Sequence, residues 1–371
     1  RDARGSGNLH LPLGALCPIK KGCGNRHRAE IRRVSGWLGG AAAAPIMWEE
    51  QLSPTAGYGL WHSAGAWTAA LLGHGLWQLW RRKLPPGRPL PAGTLPHLFG
   101  HRGCRLGHHA DAETGKHPPE NTLEAFRYAL DSGADGFELD TRMTKDGKPV
   151  VFHDARVGRC LAHDGSNPLV SDMSLEQLQQ LPYKQDKSLC VHTLEEAVEL
   201  ASKRGSQIMI ETKDMRRQSE LAAHCVDLIR KYDMLDQAMV ISFDPISLYH
   251  VRREDPAVRT CFLWTPGLMS SYAMSDSCEV LSPLLRLLAP IIDLFLDWCS
   301  HPALLPTFLG VSAIGPSVEW GLGTGHKYLD AAKKSGMMTY LWVVNEPEVR
   351  DDVYTLAPKG IFAFSTDRLW P

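Results

Sequence analysis

From His97 to the C-terminus, short runs of apolar, β-branched and aromatic residues alternate with longer stretches of helical period. No other feature of the chain limits its fold as strongly, because strand and helix periods that keep changing places demand a layered α/β architecture. Eight runs read as strands: Leu98–Gly103, Gly136–Arg142, Ile208–Lys213, Ala238–Phe243, Arg259–Trp264, Leu309–Gly315, Met338–Asn345 and Gly360–Thr366. Between them stand helical signatures. In "NTLEAFRYALDSG", Leu123, Phe126, Ala129 and Leu130 share a face and Gly133 supplies the stop, while "TLEEAVELASKRG" opens on a Thr-x-x-Glu capping box. Eight such repeats in roughly 270 residues predict a TIM (β/α)8 barrel, with a small inserted segment after the second strand. A doubly wound open sheet is the alternative, and no GxGxxG follows the first strand to support it.

A barrel places functional groups at the C-terminal ends of its strands. His101 and Arg102 end the first run, Glu138 and Asp140 lie in the second, and Glu211 and Lys213 end the third. Trp342 and Asn345 end the seventh, and Asp367 follows the eighth. Side chains alternate along a strand, so Glu138 and Asp140 point the same way, as do Glu211 and Lys213. Three carboxylates gathered at one mouth repel each other and raise each other's pKa. A divalent cation relieves that conflict, and an all-oxygen shell favours Mg2+ or Ca2+ over zinc. Any one of them alone is more often a salt-bridged surface carboxylate.

The Asp-Gly of "KDGKP" is a turn signal that folds "VVFHD" back on the second strand and returns His153 towards the acidic groups. His101 arrives from the first strand. Two imidazoles flanking one site allow one to take a proton from an attacking oxygen while the other gives one to a leaving oxygen. Arg102 and Lys213 add fixed positive charge, which suits an anionic transition state such as that of a phosphodiester.

Composition removes several classes. Lys plus Arg number 40 and Asp plus Glu 41, so there is no net charge for general nucleic-acid binding and any phosphate recognition is local. The nine cysteines include no CxxC pair, which argues for reduced thiols over a zinc ribbon or a disulfide scaffold. His108, His109 and His117 have no matching Cys or His spacing, and metal binding is not expected there. No Asn-x-Ser/Thr acceptor occurs, in keeping with a domain that faces the cytosol.

With HRG at 101–103, PENT at 119–122, ELD at 138–140, HD at 153–154, ETK at 211–213, WVVN at 342–345 and STD at 365–367, in that order, the chain resembles the glycerophosphodiester phosphodiesterase family over residues 97–371. The resemblance implies a TIM barrel that uses a divalent metal to hydrolyse glycerophosphodiesters to glycerol phosphate and an alcohol. It implies His101 and His153 as the acid/base pair, with Glu138, Asp140 and Glu211 as metal ligands. Arg102 and Lys213 would hold phosphate, Trp342 would line the glycerol or leaving-group side, and Glu120 of PENT would support the substrate site. The chain departs from the family pattern at Cys104, where a small residue is usual, in a longer loop before PENT, and at Thr212.

Two stretches point to a membrane. Residues 51–80 contain no Asp, Glu, Lys or Arg and are followed by Arg81, Arg82 and Lys83, a pattern expected of a membrane anchor with the catalytic part on the cytosolic side. Residues 1–46 read as disordered or as upstream translated sequence, 47–83 as the anchor, 84–96 as a Pro-rich linker and 97–371 as the barrel domain. Between the fifth and sixth strands, "SPLLRLLAPIIDLFLDWCSHPALLPTFLG" is more apolar than a βα loop requires. Either the barrel wall buries it, or it forms a collar that meets a bilayer or an acyl chain. In carrying both stretches the chain resembles membrane-associated eukaryotic members of the family, some of which act on lysophospholipids, and the resemblance implies a membrane-bound enzyme acting on glycerophosphodiesters, or on lysophospholipids as a lysophospholipase D. The rival readings are an inactive membrane-associated barrel serving as a binding or scaffold protein, and a metal-using barrel enzyme that breaks C–O or C–C bonds. Oligomeric state is left open.

Overall fold

The computed structural model describes residues 82–90, 95–105, 117–274, 283–300, 304–323 and 327–369. The expectations for residues 1–46, and for the anchor apart from residues 82 and 83, lie outside them. In chain order the elements are β1 (His97–Gly100), α1 (Leu123–Asp131), β2 (Gly136–Met143), β3 (Pro149–Val151), α2 (Leu175–Gln179), α3 (Leu194–Arg204), β4 (Gln207–Thr212) and α4 (Gln218–Lys231). Next come β5 (Ala238–Ser242), α5 (Pro245–Glu254), β6 (Arg259–Trp264), α6 (Leu268–Met274), α7 (Pro283–Ser300) and α8 (Leu305–Leu309). The chain closes with β7 (Ala313–Pro316), α9 (Val318–Gly323), α10 (Lys327–Lys334), β8 (Met338–Leu341), α11 (Pro347–Leu356) and β9 (Ile361–Thr366).

Strand order is β1-β9-β8-β7-β6-β5-β4-β2, and β1 also pairs with β2, so eight parallel strands close into a barrel. An open doubly wound sheet is thereby excluded. Alternation divides each strand between two cores. Phe137, Leu139, Ile208 and Ile210 face outward and pack with Phe126, Ala197, Val198 and Val226 of the helices. Phe99, Met209, Met239, Ile241, Leu263 and Tyr340 belong to a separate cluster that fills the interior. Each fully buried side chain of this size contributes about 1.5–3 kcal/mol. On the same inward face, one step towards the C-terminal end, polar groups replace them, which is how Met209 gives way to Glu211.

Helix boundaries follow their local chemistry. The Thr122 hydroxyl accepts from Ala125 N to start α1, and Gly133 takes the left-handed conformation just past its end. Thr193 and Glu196 form the capping box of α3, and Gly205 ends it. One strand begins later than its composition predicts. Leu305–Leu309 is a short helix closed by Gly310 at φ 60°, so β7 starts at Ala313 and not at Leu309. An apolar run this short fits either state, and the left-handed glycine decides it.

The inserted segment between β2 and α3 has a small core of its own, with Val157, Leu161, Val170, Leu178, Tyr183 and Val191 buried together. Its opening hairpin is built by Thr144–Lys148. Gly147 adopts φ 76°, the Thr144 hydroxyl donates to Asp146 Oδ1 at 2.6 Å, and β3 returns antiparallel with Thr141 opposite Val151.

The Pro-rich stretch is strapped to the barrel. Leu84 is buried and its N–H donates to Phe308 O at 3.0 Å. Arg252 donates to Pro85 O, and Arg88 donates to Leu235 O, both at 2.9 Å. Gly310 matters twice here, because a Cβ added to it would also collide with the Pro85 carbonyl. Gly310→Ala is therefore expected to destabilise the protein by about 1–3 kcal/mol, the usual cost of a strained left-handed residue. A lower midpoint in urea unfolding checks it, and an unchanged midpoint contradicts it.

Candidate active site

Asp140 and Glu211 are aligned neighbours on the adjacent parallel strands β2 and β4, while Glu138 lies two residues deeper opposite Met209. The inward phase of both strands thus forces three carboxylates together. One ligand atom from each of Glu138, Asp140 and Glu211 lies within 4.8 Å of the others, and all three residues are buried. Glu138 Oε1 accepts no hydrogen bond. A buried, unpartnered carboxylate oxygen in an all-oxygen cluster has the donor chemistry of a hard divalent cation site.

The three acids are not equivalent. Burial pushes Glu138 well above the usual carboxylate range, and the charges of Asp140 and Glu211 push it further. Glu211 is also raised, by burial and by Asp140, although Lys213 opposes the shift. Burial would raise Asp140 too, but His153, Lys213, Arg102 and the Asn121 amide outweigh it and hold this carboxylate far below its ordinary value. Lys213 Nζ lies 2.6 Å from Glu211 Oε1 and 3.3 Å from Asp140 Oδ1, and it also sits over the Phe243 ring. Arg102 Nε is 3.3 Å from Asp140 Oδ2. The site is therefore a buried acidic cluster edged by two cations.

His101 follows β1, and its N–H donates to Thr366 O of β9 at 2.8 Å. Its Nδ1 is 2.6 Å from Asp367 Oδ1, and its Nε2 is 3.9 Å from Glu138 Oε2. Asp367 is held in turn by the Asn345 amide, which donates to Oδ2 at 2.9 Å. A carboxylate on Nδ1 fixes the Nδ1–H tautomer and leaves Nε2 as a proton acceptor towards the acidic cluster. Burial outweighs Asp367 and keeps the His101 imidazole below its ordinary pKa.

His153 is arranged in the same way on the other side. The β3 return places it beside β2, with Phe152 N donating to Asp140 O at 2.9 Å and Arg142 Nε donating to His153 O at 2.8 Å. Its Nδ1 is 2.6 Å from Asp154 Oδ1. Burial, with Lys213 and Arg102 nearby, lowers its pKa despite the charges of Asp140 and Asp154. Each candidate imidazole is thus pinned through Nδ1 by its own carboxylate.

Glu120 is buried among arginines. Arg102 Nη1 donates to it at 3.0 Å, Arg159 Nη2 at 2.5 Å, and Arg105 Nε approaches to 3.6 Å. Arg159 also reaches Asp154 at 2.5 Å, which links Glu120 to the His153 pair. Arg102 itself sits at φ 53°. That conformation is unfavourable for a residue with a Cβ, and it is maintained because the Arg102 N–H donates to Glu138 Oε2 at 2.9 Å while the guanidinium is ion-paired. Trp342 leans over the barrel interior, with its Nε1 donating to Gly315 O at 2.7 Å and its ring edge-to-face with Phe243. Cys104 is fully buried, its thiol near Asp367 O.

Sequence reasoning named His101, His153, Arg102, Lys213, Glu120, Trp342, Glu138, Asp140 and Glu211. It listed Asn345 and Asp367 among the strand-end groups without giving them a task, and it gave no site role to Asn121, Asp154 or Arg159. Asn121 grips Asp140 twice, donating to Oδ2 at 2.8 Å and accepting from Asp140 N at 3.2 Å. All of these except Arg159 stand inside the quoted motifs PENT, HD, WVVN and STD, which was the available signal. Glu211 and Lys213 also border a cavity of about 270 Å³ whose walls include Leu169, Phe243, Trp264 and Leu296.

Comparison with known proteins gives the family and the fold. A family model described as the glycerophosphoryl diester phosphodiesterase family matches residues 101–369. A glycerophosphodiester phosphodiesterase from Caldanaerobacter subterraneus subsp. tengcongensis is 31% identical over 183 residues, 48% of this chain and 73% of that protein. Glycerophosphodiester phosphodiesterase 1 of Mus musculus is 30% identical over 237 residues, 61% and 68% of the two chains. Among solved structures, a glycerophosphodiester phosphodiesterase from Agrobacterium tumefaciens str. C58 shares the fold at TM-score 0.54 and 19% identity, covering 74% of this chain and 97% of its own. An Oleispira antarctica phosphodiesterase in complex with the product sn-glycerol-3-phosphate does so at TM-score 0.53 and 20% identity, covering 74% and 93%. The matched residues take in seven of the eight barrel strands and every group of the acidic mouth, and the chain belongs to the glycerophosphoryl diester phosphodiesterase family.

Proposed function

We propose that this chain hydrolyses the phosphodiester bond of glycerophosphodiesters by acid/base catalysis between His101 and His153. The observation that carries the reading is the pair of Nδ1-anchored imidazoles flanking one buried acidic cluster. Glu138, Asp140 and Glu211 would hold a Mg2+ or Ca2+ ion, which when bound supplies charge neutralisation at a phosphoryl oxygen. Arg102 and Lys213 add fixed cations for the same phosphate, and both are already oriented by carboxylates, so little reorganisation is needed. A neutral imidazole whose Nδ1–H is committed to a carboxylate can take a proton only on Nε2. One ring, neutral at Nε2, receives the proton of the attacking oxygen, while the other enters the step as imidazolium and gives its Nε2 proton to the leaving oxygen, so that one proton is taken up and one delivered in each turnover. The product-bound Oleispira antarctica phosphodiesterase supports glycerol phosphate as a product here.

Glu120 positions Arg102 and Arg159 and does not touch phosphate in this reading. Glu120→Gln keeps the shape and removes the charge that gathers the arginines. It is expected to lower kcat/KM by about 10–100-fold, the usual loss when a group that orients a binding residue is removed. Unchanged kcat/KM would leave Glu120 a purely structural role.

The mostly apolar walls of the cavity beside Lys213 favour substrates that carry an acyl chain, and so a lysophospholipase D activity. The deciding experiment is a Mg2+- or Ca2+-supplemented assay of glycerophosphocholine, glycerophosphoinositol and lysophosphatidylcholine. Metal-dependent release of the alcohol from at least one is expected. No turnover of any of them, with either ion, refutes the reading, and choline release from glycerophosphocholine alone refutes the acyl preference.

A further inference from the structure

The helix α7, Pro283–Ser300, carries its apolar residues on the wrong side for a soluble barrel. Leu287, Ile291, Leu294, Phe295 and Trp298 recur at helical spacing, and each is between 61% and 76% exposed. The side turned to the barrel holds the polar anchor instead. Asp293 is buried and accepts from Met269 N at 2.7 Å, Ser270 N at 2.8 Å and the Ser270 hydroxyl at 2.6 Å, which ties α7 to the start of α6. Ala289 is buried beside it, and Leu296 lines the cavity that borders Lys213. Ordinary burial against the barrel wall, one of the two readings open from sequence, does not account for this outward stripe.

We infer that α7 is an interfacial helix that seats its outward stripe on a phospholipid bilayer surface. Four observations select the bilayer. The five side chains of the stripe are all apolar, and Phe295 and Trp298 give it the aromatic content of an interfacial helix. A stable protein interface takes roughly 20–30 residues a side, whereas this is five side chains on one helix. Among the described residues no helix is long and apolar enough to cross a membrane, and Asp293 and Asp297 interrupt α7, so it lies on the surface and does not span it. Finally, the uncharged run 51–80, expected from sequence to be a membrane anchor, ends in the chain just before Leu84, whose N–H is hydrogen-bonded to the barrel. Leu296 then gives the docking a use, since one helix touches both the lipid surface and the cavity wall, and an acyl chain could pass between them. That use rests on the hydrolase reading above, whereas the docking itself does not.

The test uses the full chain with phosphatidylcholine vesicles. An environment-sensitive fluorescent amino acid replaces Leu294, or Lys203 as a control on another face, and lipids with spin-labelled acyl chains serve as quencher. Quenching at position 294 and not at 203 is expected. A chain that does not float with the vesicles, or floats with position 294 unquenched, overturns the inference; the second result would mean that residues 51–80 or a second copy covers the stripe. In parallel, the Ile291→Glu/Leu294→Glu/Trp298→Glu variant should keep its turnover of soluble glycerophosphocholine within about twofold and lose at least about tenfold on vesicle-borne lysophosphatidylcholine. Equal loss on both substrates, or on neither, refutes a docking role. If the unsubstituted chain hydrolyses neither substrate, the hydrolase reading fails while the quenching still decides the docking.

Discussion

His101→Ala and His153→Ala are each expected to lower kcat by about 10²- to 10⁴-fold, the range over which a positioned proton donor or acceptor acts. The two imidazoles stand on different edges of the acidic mouth, one beyond β1 and one on the β3 return, so neither can replace the other. Their losses should not multiply in the double variant, because both serve a single proton traffic. Stability should separate the pair. His101 is 12% exposed in its side chain, and its removal takes from the buried Asp367 an imidazole partner at 2.6 Å, at a cost of about 1–3 kcal/mol. His153 is 26% exposed, and Asp154 retains Arg159 when the ring is removed, so little stability should be lost. Steady-state kinetics and thermal melts of the three variants check this. Turnover like that of the unsubstituted chain in either single variant would remove the assigned roles.

The second large effect concerns the acidic cluster. Asp140→Asn and Glu138→Gln are both expected to reduce turnover by at least about 100-fold if these groups hold the ion. Their effects on the metal-free protein should differ. Asp140 is ionised more easily in the fold than in water, because His153, Lys213 and Arg102 surround it; Asp140→Asn removes one partner each from Lys213 and Arg102, which keep Glu211 and Glu120, and should cost about 1–3 kcal/mol. Glu138 is ionised less easily, since burial and its acidic neighbours oppose its charge. Glu138→Gln can still accept the Arg102 N–H, so it should leave the metal-free stability unchanged or increased. Adding Mg2+ or Ca2+ at 100 times its dissociation constant stabilises the unsubstituted chain by about 2.7 kcal/mol through linkage, and that gain should shrink in both variants. Melting with chelator and with each ion provides the readout. A variant that keeps both its turnover and its metal-induced shift is not missing a ligand.

Much of the site was legible because strand chemistry is local. Glu138 with Asp140, and Glu211 with Lys213, differ by two positions, and a period of two assigns each pair to one face without further information. The turn that returns His153 was legible from Asp146-Gly147, since glycine accepts the positive φ that the turn requires. The partners of these groups were not legible. His101 and Asp367 lie 266 residues apart, and Arg159 and Glu120 lie 39 apart. Nothing in the spacing of Arg159 distinguishes it from a surface arginine, because its meaning depends on how the inserted segment folds over β2. Glu120 shows the same limit, for its motif places it at the site while its pairing with Arg102, Arg159 and Arg105 depends on the tertiary fold.

The α7 stripe and the Pro-rich strap mark the boundary most clearly. By itself the sequence determined the eight-strand rhythm, the inward phase of the acids and the apolar character of residues 283–300, since each follows from the period of a single element. Only the tertiary structure decided that Leu84 is buried, that β1 closes against both β2 and β9, and that Leu287, Ile291, Leu294, Phe295 and Trp298 face outward. Periodicity reports that a helix has an apolar face, but which surface covers that face depends on where distant segments pack once the barrel has closed.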